Sequence, residues 1–188
     1  SAFEKCISLT EITIPKSLDE GSCSSYLIPE NGIFNGSGLS TVNWEEGTTQ
    51  IASYLFLGCK SLQKVEIPES VTVMESGAFA YTGLVEISIP SAVTEIGNYA
   101  FLSCTELEKA KLPEQLVLVP YKLFSECSTL KAIAIPKSVS VIDDYAFYEC
   151  SNLTKITLND SIVKIGEQAF YGCNNLEYNT YDNAKYLG

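Results

Sequence analysis

The sequence predicts a solenoid in which short β-strands recur every 22–23 residues and coil stacks on coil around one continuous core. Three observations predict it. All eight phenylalanines fall at one position of a repeat: Phe3, Phe34, Phe56, Phe79, Phe101, Phe124, Phe147 and Phe170, separated by 31, 22, 23, 22, 23, 23 and 23 residues. Unrelated helices and strands would scatter their aromatics, whereas a fixed period in the twenties marks coils that bury their apolar faces on one another. Six of the seven cysteines (Cys6, Cys59, Cys104, Cys127, Cys150 and Cys173) share a second position, three residues after a phenylalanine. A pair of aliphatic residues two apart recurs once per repeat and is usually closed by proline. The 46% hydrophobic content suffices for a core running the length of such a body.

Within a repeat the elements follow in order. With phenylalanine as position zero, cysteine comes at +3, leucine at +6, aliphatics at +9 and +11, proline at +12, and further aliphatics near +15 and +18. Phe124, Cys127, Leu130, Ile133, Ile135, Pro136, Val139 and Ile142 show the pattern. The step of two is strand periodicity, so Ile12/Ile14, Val42/Trp44, Val65/Ile67, Ile87/Ile89, Ile133/Ile135 and Ile156/Leu158 mark inward-facing strand positions. Proline, lacking an N–H, ends each ladder. The Val-x-x-Ile stretch that follows, as at Val93–Ile96, predicts a shorter strand on the opposite side. Segments such as Tyr99–Phe101 predict a helical or 3-10 turn at a corner.

The pattern has irregularities. The turns from Phe34 and Phe79 drop one residue before Leu39 and Leu84 and lack the cysteine, with Gly38 and Thr82 near those corners. Glu45 and Asn159 stand where proline is expected. About eight residues are inserted between Leu18 and Phe34, so residues 19–33 are expected to hold a turn-rich surface loop carrying Cys23 as the exposed thiol. That loop is either a tolerated insertion or a ligand contact. The solenoid is expected over 1–176, with 177–188 too polar for the spine and serving as a cap or linker. Because the chain opens midway through a repeat, it is expected to be a fragment of a longer product.

Composition excludes several functions. A net charge of −11 without a basic cluster disfavours nucleic acid and anionic membrane surfaces as partners. No apolar run is long enough to span a membrane within this segment. There is no histidine, which removes the commonest general base and the triads built on it. The cysteines lack zinc-site spacing, and parallel side chains in a column are poorly aimed for a disulfide. They are expected to be small buried groups whose S–H donates to nearby backbone, as an asparagine ladder does in other repeat solenoids. Asp143-Asp144 and Glu45-Glu46 suit solvated faces better than an acid/base pair. No cofactor, no metal and no enzymatic activity are expected.

The run Leu-x-x-Ile-x-Ile-Pro-x-x-Val-x-x-Ile, followed by Ala-Phe and a cysteine three residues on, resembles the bacterial surface-antigen (BspA-like) class of leucine-rich repeat. Leu130 to Cys150 matches at every key position, and Leu107 to Cys127 nearly so. The resemblance implies a right-handed leucine-rich-repeat solenoid of α/β type, with parallel strands on its concave side. It further implies a secreted or cell-surface microbial protein that adheres to host or matrix proteins, and it transfers no catalytic or universal binding residue.

A ligand is expected on that concave sheet, where residues alternating with the buried aliphatics must face solvent. Lys64, Glu66, Glu86, Ser88, Lys109 and Lys111 are the candidate contacts. Either they present a protein-binding surface of mixed charge or they simply solubilise the sheet. Tyr54, Tyr99 and Tyr145, each two residues before a phenylalanine, could line a side on which a glycan stacks. The expected roles are thus a monomeric protein-recognition module, a spacer displaying another domain, or a carbohydrate-binding module.

Overall fold

The computed structural model describes residues 3–20 and 32–177. Its strands form two series, all paired in parallel. The longer series comprises β1 (Glu11–Ile14), β2 (Thr41–Trp44), β5 (Glu86–Ser88), β7 (Lys109–Lys111), β9 (Ala132–Ala134) and β11 (Lys155–Thr157). The shorter comprises β3 (Gln50–Ile51), β4 (Val73–Met74), β6 (Glu95–Ile96), β8 (Leu118–Val119), β10 (Val141–Ile142) and β12 (Lys164–Ile165). Registers advance by one repeat, as in Ile87↔Ala110, Ile133↔Ile156 and Ile142↔Ile165. The chain is therefore a parallel-strand solenoid, as the period predicts.

Its core is a column of rings. Each phenylalanine stacks on the next, from Phe3–Phe34 at 5.4 Å between centroids to Phe147–Phe170 at 5.3 Å. The six from Phe34 to Phe147 are buried, and the terminal Phe3 is 40% exposed. Beside the rings runs the thiol column. Cys59, Cys104, Cys127, Cys150 and Cys173 each donate from Sγ to the carbonyl oxygen of the preceding coil's phenylalanine, at 3.1–3.4 Å. Cys6 differs from the expectation: it is exposed, and no coil precedes it among the described residues.

Where the cysteine is missing, a hydroxyl takes its place. Ser37 and Thr82 stand at +3 and are buried. Thr82 Oγ1 donates to the Phe79 carbonyl at 2.8 Å and lies 3.2 Å from Cys104 Sγ. The deleted residue pulls the backbone inward, so that Gly83 N donates to the Cys59 carbonyl at 3.3 Å. A Cβ at Gly83 would overlap the Lys60 carbonyl oxygen, and one at Gly38 the Ile7 carbonyl oxygen. The shortened corners thus require glycine.

The corners are not helices. Among the described residues a single 3-10 helix occurs, Lys16–Glu20, outside the regular corners. At a corner, alternate N–H groups bond in two directions. Tyr99, Phe101 and Ser103 donate to the next coil's Tyr121, Leu123 and Ser125 carbonyls, while Leu102 and Cys104 close local turns onto Tyr99 and Phe101. Sending every second N–H outward requires left-handed backbone at positions −2 and +2, as at Tyr99 (φ 63°) and Ser103 (φ 52°). That conformation costs a non-glycine residue about 1–2 kcal/mol. The hydrogen bonds repeated from coil to coil hold it in place.

One expected strand is absent. Val65 and Ile67 are buried and Lys64 and Glu66 exposed, as the alternation predicts, yet this coil carries no strand there. Trp44 accounts for the break on the side facing β2. Its indole Nε1 donates to the Glu66 carbonyl at 2.8 Å, taking an acceptor that a ladder N–H would use, and its ring packs edge-on to Phe56 at 5.9 Å. The loop expected within 19–33, its Cys23, and the cap or linker at 177–188 lie almost wholly outside the described residues.

Candidate functional site

The longer strands present one exposed side chain in every two. Val65, Ile87 and Ile133 point into the core, which leaves their neighbours outside. Lys64, Glu66, Glu86, Ser88, Lys109 and Lys111 are all exposed, and all six line a single groove of about 490 Å³. Its floor includes Val65, Ile67, Ile87 and Ala110, and Glu69 and Pro90 complete the lining. The groove lies where the ladder is interrupted, between the strandless coil of Lys64–Ile67 and strands β5 and β7.

Charge alternates across it. Lys64 Nζ lies 3.2 Å from Glu66 Oε1. Glu86 sits in register with Lys109, and Ser88 with Lys111. Outside the groove, Lys131 pairs with Glu108 at 2.6 Å, and this contact holds the Glu108 carboxyl below its usual range. The groove thus offers hydrogen-bonding and charged groups of both signs above a short apolar floor.

The tyrosines divide differently from the expectation. Tyr54 is buried with Leu57, Ala80 and Leu102, because the following coil has Gly77 where most coils have a side chain, and the Tyr54 ring fills that space. Tyr99 and Tyr145 instead belong to a continuous ridge. Tyr99 meets Tyr121 edge-on at 5.3 Å, Tyr121 meets Tyr145 at 5.8 Å, Tyr148 contacts Tyr145 at 5.7 Å, and Tyr171 stacks on Tyr148 at 5.3 Å. Lys122 Nζ lies 5.5 and 5.4 Å from the Tyr121 and Tyr145 centroids, within cation–π range. Glu167, foremost, and burial raise the Tyr145 phenol above its ordinary value. Tyr121, Tyr148 and Tyr171 were not legible from position −2, although Tyr148 and Tyr171 share +1, a 23-residue recurrence that marks them as one column.

Four of the five buried thiols are chemically quiet; the fifth, Cys173, is lowered, foremost by its hydrogen bond with Cys150. Burial pushes Cys59 up to about 12 and Cys104 to about 11, and raises Cys127 and Cys150 as well. They stay protonated at neutral pH and act as donors rather than nucleophiles. Among the described residues no cluster of three histidine, cysteine or acidic side chains could hold a metal ion, and no helix is long and apolar enough to cross a membrane.

Short parallel strands, one coil per 22–23 residues and a leucine, ring and thiol core define a leucine-rich-repeat solenoid. The chain belongs to the BspA type leucine rich repeat region family, whose model matches in six copies at residues 1–105, 27–140 and 117–188. It is similar to a leucine-rich repeat protein from Bacteroides ovatus at 32% identity and TM-score 0.78, covering 91% of this chain and 43% of that one. The chain therefore spans less than half of that relative. The Treponema pallidum leucine-rich repeat protein shares the fold at 24% identity and TM-score 0.62, covering 94% of this chain and 69% of that one. So does a leucine-rich repeat protein from Eubacterium ventriosum, at 21% identity and TM-score 0.63, covering 95% and 62%. No curated protein sequence shows significant similarity. Fold and family together make this a repeat module of the protein-interaction type.

Proposed function

We propose that the chain is a non-enzymatic protein-recognition module of a secreted or cell-surface microbial protein, and that it adheres to a host or matrix protein through the long-strand face. The observation that carries this reading is the groove: six exposed polar and charged side chains from three successive coils converge over an apolar floor. A rigid scaffold adds little ordering cost on binding, so a few anchors can set the affinity. Membership of the BspA type family supports the surface location.

The test is capture of a panel of matrix and mucosal proteins by the immobilised chain, repeated with Lys64→Glu, Lys109→Glu and Lys111→Glu. Loss of capture at least tenfold in the charge reversals, with unfolding midpoints unchanged, is the expected result. Capture insensitive to all three would move the recognition surface elsewhere. A chain that captures nothing would favour a spacer displaying another domain.

The tyrosine ridge favours one second reading, carbohydrate binding, because Tyr171 is 58% exposed at the end of a contiguous aromatic column. Glycan-array binding abolished by Tyr148→Ala and Tyr171→Ala would support it, and an array without signal would dismiss it.

A further inference from the structure

Charge is distributed unevenly along the long-strand face. The whole chain carries 23 acidic residues against 12 basic ones. Yet the outward positions of β7, β9 and β11 are Lys109, Lys111, Ala132, Ala134, Lys155 and Thr157, three lysines and no carboxylate. All six are exposed. None of the three lysines lies within ion-pair distance of a carboxylate among the described residues. The N-terminal part of the groove, by contrast, is net acidic: Lys64 is paired with Glu66, and Glu69 and Glu86 add two further carboxylates.

The geometry of this strip is regular. Lys109 and Lys111 project from one strand on the same side, roughly 6.6 Å apart at the strand rise of about 3.3 Å per residue. Lys109 is in register with Ala132, and Ala132 with Lys155, so Lys155 lies two strand spacings away, roughly 9.6 Å. Between the lysines, Ala132 and Ala134 present only methyl groups. Glu86 opposite Lys109 and the Glu108–Lys131 pair are the acidic groups that border it.

We infer that this strip receives an extended peptide segment with acidic residues at alternate positions. In extended backbone, side chains at i and i+2 emerge on one side about 6.6 Å apart, the spacing of Lys109 and Lys111. One edge of the segment sits over the alanines, two carboxylates meet Lys109 and Lys111, and a third reaches Lys155. The outward positions of β7, β9 and β11 hold no aromatic side chain to stack a sugar ring, and the i, i+2 spacing of Lys109 and Lys111 is that of an extended polypeptide. The inference deepens the recognition reading and rests on the long-strand face being the binding surface.

The experiment uses a fluorescent nine-residue peptide with glutamate alternating with serine, and an isomer of the same composition with its glutamates consecutive. The alternating peptide is expected to bind at least fivefold more tightly at low salt, and more weakly as ionic strength rises. Lys111→Glu and Lys155→Glu should each weaken it at least tenfold, while Lys137→Glu, exposed but off the strip, should change it less than twofold. Equal binding of the two isomers, or preference for a heparin fragment over both, would overturn the assignment. If neither peptide binds while Lys64→Glu still abolishes protein capture, the acidic-segment inference falls and the recognition reading stands. If charge reversals across the whole face leave every capture unchanged, the recognition reading falls with it.

Discussion

Removing one ring from the middle of the column should open a hole that the neighbouring coils cannot close. Phe101 is fully buried, with Phe79 stacked at 5.7 Å on one side and Phe124 at 5.5 Å on the other. Backbone hydrogen bonds hold the coils at fixed spacing: Phe79 N donates to the Ala100 carbonyl and Phe101 N to Leu123 at 2.9 and 3.1 Å. Relaxation into the cavity would break these bonds, so the cost should lie near the upper part of the usual range for a buried Phe→Ala change, about 3–5 kcal/mol. Two stacking contacts, each about 0.5–1.5 kcal/mol, are lost within that figure. Phe3 provides the internal comparison. It is 40% exposed and, among the described residues, stacks on Phe34 alone, so Phe3→Ala should cost about 1–2 kcal/mol. Urea unfolding followed by far-ultraviolet circular dichroism measures both. In a solenoid, stability is a sum over coils and their interfaces, so a central defect can also divide the transition. A midpoint drop in Phe101→Ala at least twice that of Phe3→Ala, or a two-step transition, agrees with a continuous column. Equal drops would refute it.

Other consequences follow from the thiols and the corners. Cys127→Ala leaves the Phe101 carbonyl without its Sγ donor and should cost about 1–3 kcal/mol, whereas Cys127→Ser retains a donor and should cost under about 1, as compared by thermal or urea unfolding. Stability should fall in alkali: with the folded thiols raised to about 12 at Cys59 and about 11 at Cys104 against 9.0, their contribution is whole below pH 9 and shrinks as pH climbs toward those values. Each thiol adds a slope of up to about 1.4 kcal/mol per pH unit in that window, so the Cys59→Ser/Cys104→Ser variant should show a smaller loss between pH 8 and 10.5, and an identical loss would contradict the argument. Gly83→Ala, which forces a methyl against the Lys60 carbonyl oxygen, should cost about 1–3 kcal/mol in the same assay.

The solenoid was legible because one coil equals one period: residues 22–23 apart fall one above another, and Phe79, Phe101 and Phe124 become a stack without any further assumption. The outward rows were legible for the same reason, since period-two alternation assigns Lys64, Glu86 and Lys109 to the face opposite Val65, Ile87 and Ala110. The strand break was hidden because on its β2 side it involves Trp44 reaching across to the next coil, a contact that no spacing encodes. The corners read as helical or 3-10 turns because turns that send alternate N–H groups to a neighbour share a short local length with a helical turn. A clue existed in Gly36, Gly58, Gly77 and Gly172, all two residues from a phenylalanine and all at positive φ. The groove itself required the structure, because alternation places its six side chains outward but does not show that they converge on one concavity. Tyr54 shows the limit of column arguments: its place in the repeat matches Tyr99, yet a glycine in the next coil lets it turn inward.

The recognition account is tested most directly by amide hydrogen exchange on the chain bound to a protein captured from the matrix and mucosal panel. The account predicts slowed exchange concentrated in 64–67, 86–88, 109–111 and 132–134, with the short strands and the tyrosine ridge unchanged. Protection confined to the ridge around 121, 145, 148 and 171, with the long-strand face exchanging as in the free chain, would contradict it.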